Sequence, residues 1–157
     1  MLQKHNLLKL TSPGGLKSFH STIPHTIKDA MELCRLLDER YLWVDTLCLI
    51  QDNLADIAVG VHRMNHIYEH SYLNIIAATG KNAEAGLPGV QKNSRCATQQ
   101  VVYLKPGMRL VLTHELIPHL KRSKYFTRGW TYVKLPLVTN AFFISVDPLA
   151  LIFLITG

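Results

Sequence analysis

Between Tyr41 and Asp52 (YLWVDTLCLIQD) the chain passes from a buried apolar run to a polar edge within a few positions. Leu42, Trp43 and Val44 read as a short strand covered on both faces, because a half-exposed strand alternates apolar with polar residues. Asp45 then brings a carboxylate to the end of that strand. In open α/β sheets ligands bind outside the carboxyl ends of the strands. Asp45 is therefore a site candidate, although on spacing alone a turn cap accounts for it better. Gln51 and Asp52 close the segment after a second apolar stretch, Leu47 to Ile50. They are placed either to meet a ligand or to cap the helix that follows, and capping is the better reading. Trp43 stands at a strand centre, where a large ring buries most area. Core packing accounts for it better than ligand contact, but it stays with Gln51 and Asp52 among the ligand- or partner-binding candidates.

The flanking patterns set the order of elements. Pro24 suits the first turn of a helix, with Thr22 as its cap. Ile27, Ala30, Met31, Cys34 and Leu37 recur at helical spacing, and Lys28, Asp29, Glu32 and Arg35 lie off that stripe. A second helix over about 54–70 buries Leu54, Ile57, Val61, Met64, Ile67 and Tyr68. Gly60 weakens it by about 1 kcal/mol relative to alanine. Tyr72 to Thr79 is a second apolar strand, and Gly80 to Gly89 is a loop. Helix, strand, helix, strand with short links implies a partial parallel sheet with crossover helices. Further on, two strand-like runs flank Lys105-Pro106-Gly107, as in a β-hairpin. Leu135 to Thr156 is almost wholly apolar, but Asp147-Pro148 interrupts it. A spanning helix needs about 20 continuous apolar residues, so buried strands are expected there and no membrane partner.

A chain of 157 residues fits one domain. Cys34, Cys48 and Cys96 form no CxxC pair, which argues against a disulfide framework and a zinc site and for a reducing, cytoplasmic compartment. Met1 to Leu10 carries Lys4 and Lys9 and reads as no secretory signal. The net charge of +6 is uneven: Gln91 to Lys134 holds nine Lys or Arg against Glu115 alone. Such a stretch can draw phosphates, nucleic acid or an acidic partner, although a solvated surface with no partner is the commoner case. No aromatic-interleaved motif accompanies it, so nucleic acid is not expected. His62, His66 and His70 recur every four residues, a spacing that can hold a metal. Without a nearby Cys or a clustered acid, a solvated polar face accounts for them better, and no metal is expected.

Three blocks carry a family resemblance: Pro13 to Asp52, Met64 to Gly89, and Arg128-Gly129-Trp130-Thr131-Tyr132. Together they resemble the HET domain, the heterokaryon-incompatibility module of filamentous fungi. The resemblance implies a lead-in over 1–12, an incomplete HET domain over 13–132 and a divergent apolar tail over 133–157. It implies an α/β fold, TIR-like and flavodoxin-like. It implies action in non-self recognition and programmed cell death by binding a protein partner, another HET or NLR-type signalling protein. Some TIR relatives cleave NAD at the nicotinamide–ribose bond, so a second reading is an NAD(P) glycohydrolase, with NAD as substrate rather than resident cofactor. Asp45 would then bind ribose hydroxyls or stabilise a developing cation. Glu69, the one carboxylate late in the second helix, would take the part of the TIR helix glutamate. Whether the chain is an enzyme stays open at this point. Arg128 and Trp130 can clamp a phosphate or stack on a base, or Arg128 can pair with Asp45 or Asp52. Two departures matter. Family members carry an upstream strand reading L-S-Y-x-W-G, which Met1 to Leu10 does not match, and a Gln-Glu pair where Val133-Lys134 stands here. These imply a truncated product. The third reading is an inactive fragment whose open sheet edge favours self-association.

Overall fold

The computed structural model describes residues 1–77, 82–94, 101–111, 141–144 and 152–156. Two short helices, α1 (Leu7–Thr11) and α2 (Gly15–Ser18), lead into α3 (His25–Leu36) and strand β1 (Tyr41–Trp43). A single turn, α4 (Asp45–Cys48), precedes the long α5 (Leu54–Glu69) and β2 (Leu73–Ala77). The remaining described elements are β3 (Val101–Lys105), β4 (Met108–Val111), β5 (Ala141–Ile144) and β6 (Ile152–Thr156). Helices and strands are mixed, as an α/β chain requires.

The main sheet has the order β1-β6-β2-β5. β2 and β5 are parallel, with Ile75 opposite Phe142. β6 runs antiparallel to both its neighbours, with Ile155 opposite Leu42 on one side and Leu73 on the other. The sheet is therefore mixed rather than parallel. β1 and β2 do run the same way, joined through α5, but a strand from the far end of the chain separates them. β3 and β4 pair antiparallel in a sheet of their own.

Sheet position explains the first discrepancy with the sequence. β1 lies at an edge, so it is not covered on both faces: Tyr41 is 55% exposed, Leu42 and Trp43 are half-buried, and only Val44 just beyond is buried. β2 is interior, and Asn74 to Ala77 are all buried. Asn74 Oδ1 has no hydrogen-bond partner among the described residues.

The core lies between α3 and this sheet. Ile27, Ala30 and Cys34 of α3 meet Val44, Ile75 and Ala77, and Leu87 plugs the cluster from the loop after β2. Leu37 falls outside the stripe and is exposed, because α3 has ended by then. Asp29, expected on the outer face, is instead buried at 5%. Its Oδ2 accepts the Leu87 N–H at 2.7 Å and its Oδ1 accepts Gln91 Nε2–H at 2.9 Å. Buried Thr26 adds a third tie, its Oγ1 accepting the Gly86 N–H at 3.1 Å. Gly86 has φ +74°, and a Cβ there would lie 2.7 Å from Asp29 Oδ2. Only glycine allows both that backbone and that approach.

The loop returns the favour of being held by capping the helix. The first N–H groups of a helix lack internal partners. Here the Thr26 N–H donates to Ala83 O at 3.0 Å and the His25 N–H to Glu84 Oε2 at 3.3 Å. The carboxylate also suits the positive end of the helix. Thr22 is not the cap; its hydroxyl donates back to Phe19 O.

The buried face of α5 also departs from the apolar stripe. Leu54 is 85% exposed, and Ile57, Val61, Met64 and Ile67 are half-buried. Tyr68 and Gly60 are the buried residues. A Cβ at Gly60 would come within 2.4 Å of Leu49 Cδ2 and 2.6 Å of its Cδ1. The glycine costs helix propensity but gives the Leu49 side chain its seat against α5.

Two outcomes follow. Asp29→Ala strands the buried Leu87 N–H and should destabilise the protein by about 2–3 kcal/mol, a drop of roughly 5–10 °C in melting temperature at this size. Asp29→Asn, which keeps an acceptor, should recover part of that loss. Gly60→Ala alone should lower the melting temperature through collision with Leu49. In a Leu49→Ala background the same change should raise it, by up to about 1 kcal/mol of helix propensity. Additive effects in this double-mutant cycle would refute the contact.

Candidate functional site

Polar bonds lash the N-terminal segment to the residues after β1. The Leu2 N–H donates to Thr46 O at 2.8 Å, and the Gln51 N–H donates to Leu2 O at 2.9 Å. Asp52 Oδ1 accepts the Lys4 N–H at 2.9 Å. Leu2 is buried as a result. Between this segment, α3 and β1 a cleft of about 530 Å³ remains. Its walls are Leu2, Leu10 and Leu16 on one side, Met31 of α3, and Tyr41 to Val44 with Leu47 and Cys48 on the other. Arg40 supplies the only charged side chain among the described lining residues. Its guanidinium lies 5.6 Å from the centre of the Tyr41 ring, within cation–π range. Trp43 is one wall, steadied by an edge-to-face contact with Tyr68 at 6.4 Å between ring centres.

The turn that delivers Arg40 and Tyr41 to the cleft is set by the end of α3. Asp38 adopts a left-handed backbone, φ +59°, which aspartate tolerates better than most residues. The Glu39 N–H then reaches Cys34 O at 2.9 Å and the Asp38 N–H reaches Arg35 O at 3.2 Å. This pattern closes a helix C-terminus. The Cys34 thiol lies 3.3 Å from Glu39 O and 3.7 Å from Tyr41 O, tying the turn to β1. Burial, and secondarily the Glu39 carboxylate, push this thiol above the ordinary range.

Each residue singled out in the sequence has a definite place. Asp45 opens α4 and is exposed; its Oδ1 accepts the Thr46 N–H at 2.6 Å. It is not a cleft-lining residue. Gln51 Nε2–H donates to the carbonyls of Asp45 and Leu49, closing the turn between them. Asp52 serves the N-terminal segment. Neither caps α5, as was expected of them: Asp56 in the first turn of α5 reaches back to the Ile50 N–H at 2.7 Å. Glu69 lies exposed at the last turn of α5, beside His66 and His70. Arg128 and Trp130 lie outside the described residues. The structure thus brings Trp43 into the cleft wall and uses Gln51 and Asp52 to hold the N-terminal segment, while Asp45 and Glu69 do not line the cleft. The sequence reading missed Arg40 and the N-terminal leucines. A lone cation directly before an apolar strand was the available signal for Arg40.

A protein-family model described as heterokaryon incompatibility protein (HET) matches residues 6–133. The matched stretch contains most of the cleft wall, including Leu10 and Leu16. No curated protein and no solved structure matches the chain.

The Cys34 thiol gives a pH test. A group whose pKa rises on folding adds stability below its unfolded pKa and loses it as pH climbs through the folded value. Above the ordinary thiol value of about 8.5, melting temperature should therefore fall with a component that Cys34→Ala removes. Parallel pH profiles for the two proteins would disprove the assignment.

Proposed function

The chain belongs to the HET family, and we propose that it acts by binding a protein partner in fungal non-self recognition and programmed cell-death signalling. The partner in this reading is another HET or NLR-type signalling protein in the cytoplasm. It inserts an apolar segment into the cleft and sets a carboxylate against Arg40. The cleft is the observation that carries the reading. Among the described residues its walls are almost wholly apolar, it runs along an edge strand, and Arg40 is its one charged lining residue. Apolar burial supplies the affinity and the cation the specificity. No helix among the described residues is long and apolar enough to cross a membrane. A TIR-like arrangement belongs to the same reading, supported by β1 and β2 running the same way across α5. Cleavage of NAD draws no support from the cleft, because neither Asp45 nor Glu69 lines it.

The test is expression of the chain with an incompatible signalling partner in fungal cells, scored by viability. Arg40→Glu and Tyr41→Asp alter exposed side chains and should leave the circular dichroism spectrum unchanged. Each should cut killing about tenfold, the effect of losing about 1.4 kcal/mol of binding. Killing that survives both substitutions overturns the reading. Purified protein should release no nicotinamide from NAD; release that vanishes in Asp45→Asn would put the enzymatic reading in its place.

A further inference from the structure

The last turn of α5 gathers three metal-ligating side chains that the cleft does not use. His66, Glu69 and His70 each offer one ligand atom, and these atoms lie within 4.8 Å of one another. His66 Nδ1 and His70 Nδ1 are 2.6 Å apart, with the rings 3.9 Å between centres and inclined at 71°. Two nitrogens this close cannot both carry hydrogen towards each other, so at least one lone pair points into the gap. His70 Nδ1 also lies 2.9 Å from His66 O, which is one of the last carbonyls of the helix. The negative end of a helix favours a cation at this place.

The backbone beneath the cluster is fixed. The His70 N–H donates to His66 O at 3.1 Å. Buried Ser71 donates its hydroxyl to Tyr68 O at 2.9 Å, fastening the helix exit to the start of β2. Ligands on a rigid turn lose little freedom when they close on an ion. All three residues are exposed, so an ion has a free entry path. On a tetrahedral zinc ion with bonds of about 2.0–2.1 Å, two nitrogens stand roughly 3.3 Å apart. The two rings need only open by a fraction of an ångström to reach that spacing.

We propose that His66, Glu69 and His70 form a binding site for a divalent transition-metal ion of the zinc class at the C-terminal end of α5. Two imidazoles and one carboxylate leave the fourth position to water or to a donor from a bound molecule, as in open three-ligand zinc sites. The two ring nitrogens turn their lone pairs to the ion, and His70 gives up its approach to His66 O. The acid that spacing among the histidines alone did not supply is Glu69, three residues after His66 and one before His70. His62, one turn earlier, takes no part. This inference stands independently of the cleft and of the partner-binding reading.

The experiment is titration of the full chain, freed of metal by chelation, with Zn²⁺ by calorimetry and with Co²⁺ by visible absorption. One ion per chain should bind, and Co²⁺ should develop d–d bands of a low-symmetry site. His66→Ala and His70→Ala should each weaken Zn²⁺ binding by roughly tenfold or more, at least what loss of an outer-shell partner costs. Glu69→Gln should weaken it while leaving the circular dichroism spectrum and melting profile of the metal-free protein unchanged. His62→Ala should bind as the parent does. Absence of binding, or equal affinity in the parent and all three ligand variants, overturns the proposal. Loss of affinity in His62→Ala as large as in His70→Ala overturns it as well.

Discussion

A single buried carboxylate holds this structure together. Asp29 sits on the inner side of α3 and binds a backbone N–H and a side-chain amide from residues about sixty positions away. A charge at this depth is tolerated only when its oxygens are hydrogen-bonded. Both oxygens are. Because Asp29 and Thr26 fix the loop after β2, Leu87 is driven into the core, and Ala83 and Glu84 are held over the start of α3. Helix and loop each satisfy the other's orphan groups. Neither arrangement has an obvious substitute if the carboxylate is lost.

The cleft depends on a similar division of labour between polar and apolar groups. Leu2, Thr46, Gln51 and Asp52 fasten the N-terminal segment through hydrogen bonds that involve mostly backbone groups. The fastened segment then presents leucines towards Trp43 and its neighbours across an open space. Polar residues that looked available for ligand contact are in fact the fixings, and the surface they create is apolar. Arg40 gains its weight from that contrast, as the one charged side chain among the described lining residues.

Local periodicity made much of the fold legible. The helix from near Pro24, the helix over about 54–70 and the strands expected from Tyr41 and Tyr72 follow from spacing and turn residues alone, and the structure has them at His25–Leu36, Leu54–Glu69, Tyr41–Trp43 and Leu73–Ala77. What spacing does not carry is the identity of the far partner. Asp29 lies off the apolar stripe and so looks like a surface residue; only the loop arriving from a distant part of the chain makes its position interior. Leu54 looks like core because it is apolar and in phase, yet it starts the helix beyond the reach of the sheet. Val44 and Trp43 look equally buried in sequence, but an edge strand has one side open. The same limit applies to the site. Trp43 was legible as a strand residue, whereas the grouping of Glu69 with His66 and His70 needed both the three-residue and four-residue steps of a helix to be considered together.

The placement of β6 has a consequence for how the protein comes into being. The strand that separates β1 from β2 lies far along the sequence from both. Contacts spanning such long loops form late, since closing the loop costs entropy before any bond is made. Until β6 arrives, β1 and β2 face each other with unpaired edges across an empty lane. A molecule in that interval has two exposed templates for stray strand pairing, so the sheet is sealed by a strand distant in sequence from both.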